Sequence, residues 1–176
     1  VSVTVLGDFD QPTISFITPD TLNCKDTLIS INASNSGSSV DFNYEWNTIS
    51  GNILSTSNLS TIEVNEEGLY QLILTENSNG CKDTVDIEVA MNLDLPTVNI
   101  QMPSILNCQN DSIQLDATGI DLGNGFSINW NTADGNILSN ANSSSPFVDE
   151  SGTYWLSVEN LENGCVDSLS TFVAID

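Results

Sequence analysis

GLYQLILTENSNGCKDTV (Gly68–Val85) sets two alternating runs on either side of a turn, and it returns as GTYWLSVENLENGCVDSL (Gly152–Leu169), at a shift of 84 along the chain. In the first run Tyr70, Leu72 and Leu74 fall on one face, and Tyr154, Leu156 and Val158 on the equivalent face. Successive side chains of a strand point to opposite sides, so a period of two reads as a half-buried strand. The NSNG and LENG segments carry turn residues. Each stretch is therefore strand, turn and strand.

The same shift extends outward along the chain. Pro12 meets Pro96, Asn23-Cys24 meets Asn107-Cys108, Trp46-Asn47-Thr48 meets Trp130-Asn131-Thr132, and GNILS recurs at Gly51–Ser55 and Gly135–Ser139. A fixed period of this kind makes the chain two homologous modules. Further alternating runs are TLISINA (Thr27–Ala33), DFNYEW (Asp41–Trp46), STIEV (Ser60–Val64) and VDIEVAM (Val85–Met91). Short alternating strands between Gly, Asn, Ser and Pro clusters, with no helical period, predict an all-β chain. The expected architecture is two tandem immunoglobulin-like antiparallel β-sandwiches of about seven strands each. Trp46 and Trp130 fall where such a sandwich keeps its core tryptophan.

The phase of the ends sets the expected boundaries. VSVTV (Val1–Val5) is equivalent to VDIEV (Val85–Val89) and LSTFV (Leu169–Val173). Residues 1–11 then hold the last strand of a preceding repeat and a linker, residues 12–95 the first repeat and residues 96–176 the second. The leading strand fits an excerpt of a longer array, or a strand donated to a neighbouring subunit. Both modules own a final strand, which favours the excerpt.

Charge narrows the partners. The 176 residues include 24 acidic ones against Lys25 and Lys82, with no arginine or histidine, for a formal net charge of -22. Such a chain repels phosphate backbones and anionic lipid, so neither nucleic acid nor a membrane surface is an expected partner. Hydrophobic residues still make up 39% of the chain, enough for a folded core. No apolar run approaches the ~20 residues that span a bilayer.

The four cysteines, Cys24, Cys81, Cys108 and Cys165, fall two per module, with the same separation inside each pair. Close pairs backed by histidine, as in zinc sites, are absent, and so is a histidine base for a nucleophilic thiol. Disulfides Cys24–Cys81 and Cys108–Cys165 are the expected pairing, implying an oxidising, extracellular setting. Each would close a loop worth about 4 kcal/mol against the unfolded chain.

Three smaller signals remain. Asp-(Ser/Thr)-apolar occurs at Asp20-Thr21-Leu22, Asp26-Thr27-Leu28, Asp83-Thr84-Val85, Asp111-Ser112-Ile113 and Asp167-Ser168-Leu169. Taken alone it marks either a turn opening into a strand or a site for O-linked sugar. Asp8, Asp10 and Asp94 lie at the module junctions and are the candidate ligands of a calcium ion. Trp155 replaces Gln71 and points away from Tyr154, either to stack on sugar or a partner protein or to cover a neighbouring sheet. No carboxylate pair stands out on a cleft, so no enzyme activity is expected.

Leu22-Asn23-Cys24, Tyr44-Glu45-Trp46, Gly68-Leu69-Tyr70 and Asn79-Gly80-Cys81, with their counterparts in the second module, resemble the immunoglobulin-like or PKD-like tandem repeats of large secreted and surface proteins of Bacteroidota. The resemblance implies a non-catalytic extracellular repeat, exported by the type IX system, that builds an adhesin, stalk or filament. It implies neighbouring repeats of the same array as partners, with like chains or surface glycans beside them. That phylum's O-glycosylation signal is similar to the Asp-(Ser/Thr)-apolar string, which implies sugar on Thr21, Thr27, Thr84, Ser112 and Ser168. The alternative is a glycan- or protein-binding module acting through exposed aromatics and end loops.

Overall fold

The computed structural model describes residues 10–117 and 125–176. The strand expected over Val1–Val5, and Asp8 with it, lie outside them. The chain divides into two compact units, Val1–Asn92 and Leu93–Asp176. Among the described residues the regular structure is strand throughout, apart from one 3-10 turn at Ser34–Ser36.

The first unit contains β1 (Leu22–Asn23), β2 (Ile29–Asn32), β3 (Phe42–Thr48), β4 (Thr61–Val64), β5 (Gly68–Glu76), β6 (Lys82–Val89) and β7 (Met91–Asn92). One antiparallel sheet runs β3–β5–β6, with Trp46 opposite Leu72 and Leu72 opposite Val85. The other pairs β2 with β4, Ile31 opposite Ile62, and is widened by bridges from Ile17 to Asn32 and from Ile53 to Val64. Three strands facing four segments make the immunoglobulin-like sandwich. β1 runs parallel to β7, Leu22 opposite Met91, alongside the strand that leaves the unit.

Alternation in the sequence becomes the core directly. Ile29, Ile31, Ile62 and Val64 of one sheet meet Tyr44, Trp46, Tyr70, Leu72, Leu74, Ile87 and Val89 of the other. Each such side chain stabilises the fold by roughly 1.5–3 kcal/mol through burial.

The second unit repeats the plan with β8 (Ile113–Gln114), β9 (Phe126–Thr132), β10 (Ile137–Ser139), β11 (Phe147–Val148), β12 (Gly152–Asn160) and β13 (Val166–Val173). Its sheets run β9–β12–β13 and β8–β11–β10. A parallel bridge from Leu106 to Ile175 stands in for the β1–β7 pair. Leu106, Ile113, Leu115, Trp130, Val148, Tyr154, Leu156, Val158 and Val173 form the core.

Most of the repeated motifs satisfy polar groups inside this core. The Trp46 indole donates to the Leu59 carbonyl at 2.9 Å, and Trp130 donates to the Ser143 carbonyl at 3.0 Å. The Tyr70 hydroxyl donates to the Glu66 carbonyl at 2.7 Å and accepts the Asn52 N–H at 3.0 Å. Tyr154 does the same with Glu150, at 2.7 Å, and Asn136, at 3.0 Å. This is the tyrosine corner of immunoglobulin-like folds. It also explains why Gly-Asn accompanies Gly-x-Tyr in the repeat: a Cβ on Gly51 or Gly135 would fall on the tyrosine hydroxyl.

Candidate functional site: the two ends of each module

The turn before the last long strand defines one end. Glu76 N–H donates to the Cys81 carbonyl at 2.9 Å, and Gly80 N–H donates to the Glu76 carbonyl at 2.8 Å. Gly80 holds φ at 75°, which glycine adopts without a Cβ clash. Asn79 works in two directions. Its Oδ1 accepts the Cys81 N–H at 2.8 Å, and its Nδ2 donates to the Asp10 carbonyl of the incoming connector at 3.0 Å. The Asn160–Cys165 turn is built alike, with Asn163 Oδ1 accepting Cys165 N–H at 3.0 Å and Nδ2 donating to the Asp94 carbonyl at 2.9 Å. This end, where the connector is clamped, is the proximal end.

The distal end lies beside the departing strand. Asn23 N–H donates to the Asp26 carbonyl at 3.0 Å, and Asn23 Oδ1 accepts N–H groups from Lys25 and Asp26, both at 2.8 Å. Asn107 Oδ1 accepts from Gln109 at 2.9 Å and from Asn110 at 3.0 Å in the same way. These are Asx turns, and they carry Cys24 and Cys108 at the surface.

The cysteines correct the expected pairing. Cys24 and Cys165 are disulfide-bonded, whereas Cys81 and Cys108 are free thiols. Neither Cys24–Cys81 nor Cys108–Cys165 closes. The reason is the direction of β1. Its parallel register puts Asn23 opposite Asn92, so Cys24 lies past the finish of β7, while Cys81 precedes the start of β6. Ten residues of extended chain between Lys82 and Asn92 span roughly 30 Å, and a disulfide tolerates Cα atoms no more than about 7 Å apart. The Leu106–Ile175 bridge separates Cys108 from Cys165 likewise.

The hydroxyls of the Asp-(Ser/Thr)-apolar strings are accessible: Thr21, Thr27, Thr84 and Ser168 are exposed and Ser112 is half-buried. Thr84 and Ser168 sit on the edge strands β6 and β13, on the face away from the core. Asp83 and Asp167, the second residues of β6 and β13, accept the following N–H at 2.8 Å in each case.

At the junctions Asp10 and Asp94 contribute main-chain carbonyls to the proximal clamp, as described above. Among the described residues no group of three or more His, Cys, Asp or Glu side chains is placed to hold a metal ion. No described helix is long and apolar enough to cross a membrane.

Trp155 points outward from β12, 52% exposed, between Asn131 and Ser170 on the flanking strands. Phe172, 62% exposed, stands diagonally across from it opposite Thr153. The first unit presents Gln71, hydrogen-bonded to Asp86 at 2.9 Å, and Glu88 at the corresponding places. The second unit has thus lost charge and gained two aromatics on this face.

Asn79, Asn163 and the two Asx turns were not singled out by sequence reasoning. The signal was present in the recurring Asn-Gly-Cys strings, read only as turns, and in the Asn-Cys strings, read only as marks of the repeat.

No protein-family profile and no curated protein sequence matches the chain. Solved structures similar to it include the three N-terminal domains of the bacteriophage RB49 highly immunogenic outer capsid protein. That likeness has 16% identity and a TM-score of 0.49, covering 93% of this chain and 59% of the other. Extracellular domains 3–5 of Drosophila OTK match with 14% identity and a TM-score of 0.38, over 93% of this chain and 62% of the other. Murine CEACAM1b matches with 15% identity and a TM-score of 0.36, over 93% of this chain and 99% of the other.

Proposed function

We propose that the chain is a non-catalytic structural repeat of an extracellular stalk, adhesin or filament, whose task is reach and durability. The observation that carries this reading is that the period includes the connector. Asn79 holds the Asp10 carbonyl and Asn163 holds the Asp94 carbonyl, so each module fastens the segment that arrives from upstream by the same bond. A unit that repeats its own attachment is suited to stacking in series. Disulfide-bonded Cys24 and Cys165 fit an oxidising compartment outside the cytoplasm. Sugar on the exposed hydroxyls of Thr84 and Ser168 would mask edge strands that otherwise invite pairing with another chain. The charge of -22 keeps such polymers apart in solution. Bacteroidota origin and type IX export rest on the sequence resemblance.

Electron micrographs of native material are expected to show head-to-tail density, and force spectroscopy under reducing conditions to show unfolding steps of roughly 290 Å, the contour of one period. Compact single particles in native material, with no serial density, would overturn the array. Intact mass is expected to exceed the sequence mass by hexose-sized increments lost in Thr84→Ala and Ser168→Ala; an unmodified native mass removes the sugar from the proposal.

A second reading is favoured by one observation, the outward Trp155 with Phe172 beside it. Aromatic faces of this kind stack on sugar rings. Binding on a glycan array that Trp155→Ala abolishes would establish a recognition role, and an array with no binding would exclude it.

A further inference from the structure

Each module has one cysteine at its proximal end, Cys81 or Cys165, and one at its distal end, Cys24 or Cys108. The two ends lie too far apart for a bridge inside a module, as the β1–β7 register requires. The bonded cysteines are one of each kind, Cys24 distal and Cys165 proximal. So are the free thiols, Cys108 distal and Cys81 proximal.

The local frames of the bonded and free members are the same. Cys24 and Cys108 ride on equivalent Asx turns, and Cys81 and Cys165 close equivalent proximal turns with their N–H on an asparagine Oδ1. Both free thiols are reachable, Cys108 exposed and Cys81 half-buried. Around Cys108 the surface is concave, lined by Asn107, Gln109 and Asp176. Cys108 is thus an accessible thiol in a surface depression, at the position whose repeat counterpart, Cys24, is bonded.

We propose that Cys108 and Cys81 are the two open ends of a head-to-tail disulfide ladder, in which Cys108 of one copy bonds Cys81 of the next. The inference rests on the array reading and adds a covalent link at each step of it. The chemistry needs a disulfide oxidant, such as oxidised glutathione. The Cys108 thiolate attacks it, forming a mixed disulfide and releasing one glutathione. The Cys81 thiolate of the second copy then displaces the other, so two thiols and one oxidant disulfide become one protein disulfide and two glutathione thiols.

The test is to incubate the concentrated chain with oxidised glutathione and follow non-reducing electrophoresis and peptide mapping. Dimers, trimers and higher species joined by Cys108–Cys81 peptides, all dissolved by dithiothreitol, are the expected result. Cys81→Ser or Cys108→Ser alone is expected to remain monomeric, and an equal mixture of the two to stop at the dimer. Symmetric Cys81–Cys81 or Cys108–Cys108 links as the main product would overturn the proposal. So would glutathione adducts on both thiols without any Cys108–Cys81 peptide. Serial density in native material alongside such adducts would leave the array standing and remove only the covalent ladder.

Discussion

At Tyr70 and Tyr154 a single hydroxyl ties a core strand to two backbone segments, and both hydroxyls have pKa values raised, chiefly by burial. Tyr70→Phe or Tyr154→Phe leaves a carbonyl and an N–H without this partner, at a cost of about 1–3 kcal/mol. In modules of this size each kcal/mol lowers the thermal midpoint by about 4–8 °C, which calorimetry would read. Because the folded state holds the protonated phenol more tightly than the unfolded chain does, this contribution is complete below the usual tyrosine value of about 10. It is lost as pH rises from there through the raised folded value. The midpoint is expected to fall above pH ~10, and less steeply in the two Tyr→Phe variants. An identical alkaline slope in those variants would assign the loss elsewhere. Gly51→Ala tests the same corner from beneath, since its Cβ would meet the Tyr70 hydroxyl at a φ of 108°. Gly80→Ala, at φ 75° with open space around it, is expected to cost only the left-handed penalty of about 1–2 kcal/mol. Equal losses of stability in the two variants would refute the close-packing account.

At the scale of elements, the proximal turn joins two long strands and clamps the connector through one side chain. Asn79→Asp keeps an acceptor for the Cys81 N–H but loses the donor to the Asp10 carbonyl, whereas Asn79→Ala loses both. Hydrogen exchange is expected to speed up at Cys81 in the alanine variant only, with each lost bond worth about 1 kcal/mol. Equal exchange at Cys81 in both variants would show that Asn79 does not hold this turn. The strands were legible in the sequence because alternation over residues 69–74 or 85–91 is a local pattern. The asparagine clamp was not, because its partner lies 69 residues away and offers only a backbone carbonyl.

For the whole molecule, the absence of Cys24–Cys81 and Cys108–Cys165 bridges means that each sandwich stands on its core. Alkylation of the unreduced chain is expected to label Cys81 and Cys108 and to spare the disulfide-bonded Cys24 and Cys165. Protection of all four cysteines, with Cys24–Cys81 and Cys108–Cys165 peptides in a non-reducing map, would restore the original pairing.

The amino-acid sequence by itself determined the repeat at a shift of 84, the all-β character and the buried tryptophans and tyrosines, because these follow from spacing and from which faces are apolar. It also determined that four cysteines occupy two equivalent positions in each module. Only the tertiary structure decided which of them can meet. The separation of Cys24 from Cys81 along the chain bounds the contour between two sulfurs but not the direction in which their strands run. The parallel pairing of β1 with β7 turned the two cysteines of a module to opposite ends, and Cys81 and Cys108 stay free thiols.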